Sequence, residues 1–177
     1  MSNYFDTPIF VLGLPRSGTS LIAGSLNICG AWIGTTFPGN SDNPKGFFEH
    51  IVLREKITKT ILKRLECDPL GVRKLPPIDY KVTNSNLKKV IWKILKEDGY
   101  NDDMPWIYKC PKISLIWRFF WNAFPQAKWI IVTRNKQDVI SSLLRTKFMN
   151  RHSTSHTYWE NFIKEYDFRI KKFFNKL

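Results

Sequence analysis

Three short apolar runs, each ending in a polar or glycine-bearing turn and each followed by helical periodicity, predict an α/β fold of three layers, a small parallel sheet flanked by helices. Strands that alternate with helices are joined by crossovers, so the sheet is parallel and both its faces are covered. At 177 residues the chain reads as a single domain over 1–177, and its 43% hydrophobic and 24% charged residues suffice to build a core beneath a solvated surface.

The first strand is expected at Ile9–Gly13, where an apolar run stops at a glycine. A helix follows from Gly18 to Ile28, and the Gly-, Pro- and Asn-rich stretch through Gly46 reads as irregular. Helices are then expected near His50–Leu65 and Ser85–Glu97. In the second of these, Leu87, Val90, Ile91, Ile94 and Leu95 form one apolar stripe. The proline-rich piece Leu75–Tyr80 between them is a loop.

A second strand, Trp106–Lys109, leads into an aromatic helix, Ser114–Phe124. The spacing of its Trp117, Phe119, Phe120, Trp121 and Phe124 suits packing against a sheet better than a base-stacking platform. The third strand is Lys128–Thr133. The next helix takes its apolar face from Val139, Ile140, Leu143 and Leu144, and the last, Trp159–Phe174, docks through Trp159, Phe162, Ile163, Tyr166, Ile170 and Phe173.

Ligands of open parallel sheets bind beyond the carboxyl ends of the strands, and all the chemically suggestive segments lie there: Gly13–Ser20, Lys109–Lys112 and Arg134–Ser142. In the first, Gly13 and Gly18 allow tight backbone angles, and the amides opening the following helix have no partner inside it, which makes an anion cradle. The spacing from Gly13 to Gly18, followed by Thr19 and Ser20, resembles a nucleoside triphosphatase P-loop, so the fold is expected to be P-loop-like. That motif needs Lys where Thr19 stands. Arg16 supplies the charge instead, as a planar fork that grips two oxygens, and the exchange argues against magnesium–ATP chemistry.

Residues 128–145 repeat this logic as strand, polar turn and amphipathic helix. Arg134 stands at the strand exit and Ser142 about two helical turns further, so both can reach one anion. Alternatively, Arg134 pairs with Asp138 on the surface and Ser142 is filler.

Taken together, Leu14–Ser20 and Arg134–Ser142 resemble the two donor-binding motifs of the sulfotransferases that use 3′-phosphoadenosine 5′-phosphosulfate. Asn43-Pro-Lys-Gly-Phe-Phe-Glu49 and Trp106-Ile-Tyr-Lys-Cys-Pro-Lys112 are similar to two further elements of the bacterial members, in the same order. The resemblance implies that Arg16, Ser17, Gly18, Thr19 and Ser20 hold the 5′-phosphosulfate, that Arg134 and Ser142 hold the 3′-phosphate, and that Lys109 and Lys112 add charge at the second strand exit. It places the general base at Glu49. His50 is the rival because imidazole has the more convenient pKa. Lys45 either orients substrate or is an exposed loop lysine.

The implied co-substrate is the phosphosulfate nucleotide, with no metal, and the implied acceptor is a hydroxyl or amine of a carbohydrate or other small molecule. The two competing readings are a nucleotide or sugar kinase of P-loop type and a non-catalytic basic protein. Relatives usually extend further past the 3′-phosphate motif, so a minimal or truncated carboxyl end is expected.

Net charge is +13, and it is uneven: residues 1–50 hold two Lys/Arg against three Asp/Glu, the remainder 26 against 12. Such a surplus favours anionic partners without choosing among nucleotide, acidic glycan, nucleic acid and membrane surface. Nucleic acid is not the expected partner once the motifs are weighed. Cys29, Cys67 and Cys110 are odd in number and show no pairing pattern, so reduced thiols are expected and a zinc site is not. No run approaches the ~20 apolar residues of a membrane span, and the first residues lack a leader pattern, which gives a cytoplasmic expectation.

Overall fold

The computed structural model describes residues 3–83 and 86–176. β1 (Ile9–Gly13) lies between β2 (Ile107–Lys109) and β3 (Lys128–Val132), all parallel, in the order β2-β1-β3. Ile9 sits opposite both Ile107 and Lys128, and Gly13 opposite Val132, so the exits of β1 and β3 lie side by side.

Side chains of β1 alternate between two cores. Val11 joins Ala23 of α1 (Thr19–Ile28), Ala31, Ile33 and Ile107 on one face. Phe10 and Leu12 face the larger core built by α3 (Leu87–Glu97), α4 (Ile113–Ala123), α5 (Lys136–Arg145) and α7 (His156–Phe174). Phe10 is fully buried, its ring centroid 4.8 to 5.9 Å from those of Trp106, Phe120, Phe124 and Trp129. Trp117 and Trp121 pack on Phe173. The aromatic helix is therefore core, as its spacing predicts, and the architecture is the expected three-layer α/β one.

Most expected elements occur within a residue or two of their expected bounds, and the differences have local causes. α1 starts at Thr19, with Gly18 as its cap in a left-handed conformation. The start of α3 expected at Ser85 falls outside the described residues. α7 begins at His156 because Ser155 Oγ accepts the Tyr158 amide. α6 (Lys147–Asn150) is a single turn that no periodicity announces.

The helix expected over His50–Leu65 is not uniform. It runs through a π-helical segment, Leu53–Thr58, before α2 (Lys59–Arg64), and the Lys59 amide donates to the Arg54 carbonyl five residues back. The wider turn rotates the helix so that Leu53 and Ile57 within it and Ile61 and Leu62 after it are all buried.

Candidate active site

The loop leaving β1 has a shape that only its own residues permit. A Cβ at Gly13 would collide with the carbonyl oxygen of Val132 on the neighbouring strand, while at Gly18 the constraint is backbone angle, φ 101°, with open space above it. Arg16 itself is left-handed, φ 68°, a conformation costing a non-glycine residue about 1–2 kcal/mol. Such strain persists where surrounding contacts overdetermine it.

Those contacts come from distant segments. Arg16 Nε donates to Ser142 Oγ at 3.1 Å, and its Nη2 to the Asp42 carbonyl at 3.1 Å. Arg134 Nη1 donates to the Arg16 carbonyl at 3.4 Å and its Nε lies 3.7 Å from Asp138, so the surface pair and the loop contact coexist. Asn135 Oδ1 caps α5 and fixes the turn that carries Arg134. Burial lowers the Arg16 pKa, Asp42 opposes this, and Arg134 and Arg145 lower it further. Like charges gathered against their own repulsion are the arrangement an anion would favour.

The amides of Gly18, Thr19 and Ser20 find no acceptor among the described residues, and Ser17 Oγ is buried without a partner. Both observations fit a loop shaped for an anion.

The segment 35–49 folds over this loop. Ser20 Oγ donates to the Phe47 carbonyl at 3.1 Å, and Lys109 Nζ, at the end of β2, donates to the same oxygen at 2.9 Å. Phe48, next in line, is left-handed at φ 53°. That backbone turn delivers Glu49 to Lys109, with Oε1 2.9 Å from Nζ, while Oε2 lies 3.4 Å from Arg54 and 4.0 Å from Lys112. Burial alone would raise the Glu49 pKa, but Lys109, Lys112 and Arg54 outweigh it and hold the carboxyl at about 2.

All these parts border one cleft of about 810 Å3, which includes Arg16, Gly18, Thr19, Ser20, Glu49, Lys109, Lys112, Arg134 and Ser142. A family model described as the sulfotransferase family matches residues 8–176. The chain belongs to the sulfotransferase family. No curated protein matches it.

Two of the expected site residues of this sulfotransferase sit apart from the cleft surface. Ser17 lies beneath the loop. His50 is buried behind Glu49, its Nδ1 accepting the Leu53 amide at 3.3 Å and its Nε2 facing Asp98 at 3.2 Å without hydrogen-bond alignment. Burial lowers the His50 pKa against the opposing pull of Asp98. The backbone explains the separation: adjacent residues on an extended entry to a helix point to opposite sides, so only one of Glu49 and His50 can face the cleft. Lys45 is exposed and outside the lining. Cys110 is fully buried and its thiol pKa raised by that burial, which makes it filler.

Several lining residues carry no sequence signal. Arg54 comes from the π-helical segment, Lys59 from the start of α2, Leu70 and Val72 from the loop after α2, Phe148 and Met149 from α6, and Tyr166 from α7. Among the described residues no helix is long and apolar enough to cross a membrane, and no His, Cys, Asp or Glu cluster could hold a metal ion.

Proposed function

We propose that this sulfotransferase moves the sulfuryl group of 3′-phosphoadenosine 5′-phosphosulfate to a hydroxyl or amine of a small acceptor. The observation that carries this reading is the Arg16–Ser142 hydrogen bond, which merges the two anion-binding segments into one site. A donor with a phosphosulfate at one end of its ribose and a phosphate at the other asks for two such segments side by side.

In sulfuryl transfer the acceptor oxygen bonds to sulfur as the bond to the bridging phosphate oxygen breaks, and negative charge grows on that phosphate. The transition state is loose, so positioning and fixed charge do most of the work. Arg16 and the amides of Gly18 to Ser20 meet the growing charge, Thr19 and Ser20 offer hydroxyls, and Lys109 and Lys112 hold the transferred group. One preorganised donor of this kind is worth about 3–4 kcal/mol.

Glu49 is the group we assign to take the acceptor proton. A carboxylate held near 2 is a weak base, yet it is always ionised. In a loose transition state the acceptor becomes acidic only as its bond to sulfur forms, so a weak base in place serves. His50 is turned away from that position.

Calorimetric titration with 3′-phosphoadenosine 5′-phosphate, beside magnesium–ATP and at two salt concentrations, tests the reading. Micromolar binding of the former alone is expected, lost in Arg16→Ala. Preference for magnesium–ATP would support the kinase reading. Affinity that falls steeply with salt and survives Arg16→Ala would support a basic binding protein.

A further inference from the structure

Beyond the residues assigned to the donor, the same cleft is lined by Phe37, Leu70, Val72, Phe148, Met149 and Tyr166, contributed by four separate segments. The cations beside them face carboxylates: Arg54 lies 3.4 Å from Glu49 and 3.0 Å from Glu55, with its guanidinium 3.7 Å over the Phe37 ring, Lys59 lies 2.7 Å from Glu55, and Lys112 lies 4.0 Å from Glu49. The Tyr166 hydroxyl donates to the Gly71 carbonyl at 2.8 Å. These six side chains therefore offer an incoming group mainly carbon, although the chain as a whole is strongly basic.

We infer that the acceptor is a neutral alcohol or phenol with an apolar body, an inference that rests on the sulfuryl-transfer reading for its chemistry. An acidic glycan finds Arg54, Lys59 and Lys112 already facing Glu49 or Glu55, and a neutral sugar would bury hydroxyls against Leu70, Val72 and Met149, whose side chains offer no hydrogen bond. An aromatic or alkyl body finds carbon in these side chains. Phe148 is 46% exposed at the cleft and gains a partner when such a body enters. The single hydroxyl then points toward Glu49 and Lys109, where its oxygen bonds to sulfur, the sulfur–phosphate oxygen bond breaks with its electron pair leaving on the phosphate, and the proton passes to Glu49.

The test titrates 2-naphthol, 1-decanol, cellobiose and a glucuronic acid-containing disaccharide into the protein with and without 3′-phosphoadenosine 5′-phosphate. Turnover of the same four is followed with labelled donor. The naphthol and the decanol are expected to bind and to be sulfated in preference to both sugars. In Leu70→Asn and Phe148→Ala the KM for 2-naphthol should rise about tenfold or more, the usual scale for an apolar pocket contact, with kcat and donor-product affinity little changed.

Tighter binding of either sugar, or naphthol affinity untouched by both substitutions, would overturn the inference. Failure of the donor product to bind, with naphthol still bound in a Leu70-dependent way, would sink the donor reading and leave the pocket assignment standing.

Discussion

Arg16 and Ser142 are 126 positions apart in sequence, and a 3.1 Å hydrogen bond joins them across the cleft. The arginine also reaches the Asp42 carbonyl, so the β1–α1 loop, the 35–49 segment and α5 converge on one guanidinium. Residues sharing a network are not additive. Arg16→Ala, Ser142→Ala and the double variant should show a coupling of about 0.5–3 kcal/mol in binding 3′-phosphoadenosine 5′-phosphate. Strict additivity by calorimetry would mean that the two side chains act on the donor separately.

Arg134 should contribute less to the fold than to donor-product binding. Its pair with Asp138 is solvent-exposed, with side chains 42% and 60% accessible, and such pairs are worth about 0–1 kcal/mol. Arg134→Ala should therefore leave the thermal midpoint nearly unchanged. Donor-product binding should weaken by about 1.5–3 kcal/mol, the scale of a hydrogen bond to a charged group. Unchanged affinity would remove Arg134 from the 3′-phosphate site.

Glu49, the proposed base, also contributes to stability. Its carboxyl is lowered from 4.5 to about 2 in the folded chain, so the stability it contributes is fully present above the unfolded value and drains away as pH falls from about 4.5 to 2. The shift corresponds to something on the order of 3 kcal/mol. Denaturant midpoints at pH 7, 4 and 3 should fall in the native chain. In Glu49→Gln they should start lower, by about 3–5 kcal/mol, because Lys109 and Lys112 lose their anion, and that part of the pH dependence should vanish. An equal acid slope in both proteins would show that another group carries it.

The same carboxyl decides between the two candidate bases. With Glu49 as base, kcat/KM should show no acid limb between pH 5 and 8, since the free enzyme keeps that carboxylate ionised throughout. A limb in that window, abolished by His50→Asn, would give the role to the imidazole.

The strands and the anion loops are legible from local signals in the chain: β1 ends at Gly13, as its apolar run predicts, and the segments after β1, β2 and β3 meet where parallel-sheet topology says ligands bind. What stays hidden depends on partners remote in sequence. Nothing in the Leu53–Thr58 residues announces a π turn, because the turn answers the packing of Leu53, Ile57, Ile61 and Leu62 on a core built elsewhere. Glu49 and His50 both look like bases until the left-handed Phe48 sends one to Lys109 and the other to Asp98. Of the apolar lining, Leu70 and Met149 come from stretches without a periodic signal, and Tyr166 from a helix that reads as an ordinary docking helix.

Gly13 and Gly18 both hold a positive φ, 156° and 101°, but only Gly13 also faces a backbone atom, and that difference is measurable. Alanine at Gly13 drives its Cβ into the Val132 carbonyl, a backbone atom in the sheet register, so relief requires β1 and β3 to separate where the site is assembled. Alanine at Gly18 meets no atom within 4 Å and must only tolerate φ 101°, a local cost of about 1–2 kcal/mol. Gly18→Ala should therefore lower the thermal midpoint by several degrees and weaken donor-product binding through the loop amides alone. Gly13→Ala should lower it considerably more and also loosen amide-exchange protection along β3, a strand it does not belong to. Equal losses in the two variants, with β3 protection intact in both, would show that loop angle rather than strand separation sets the requirement at Gly13.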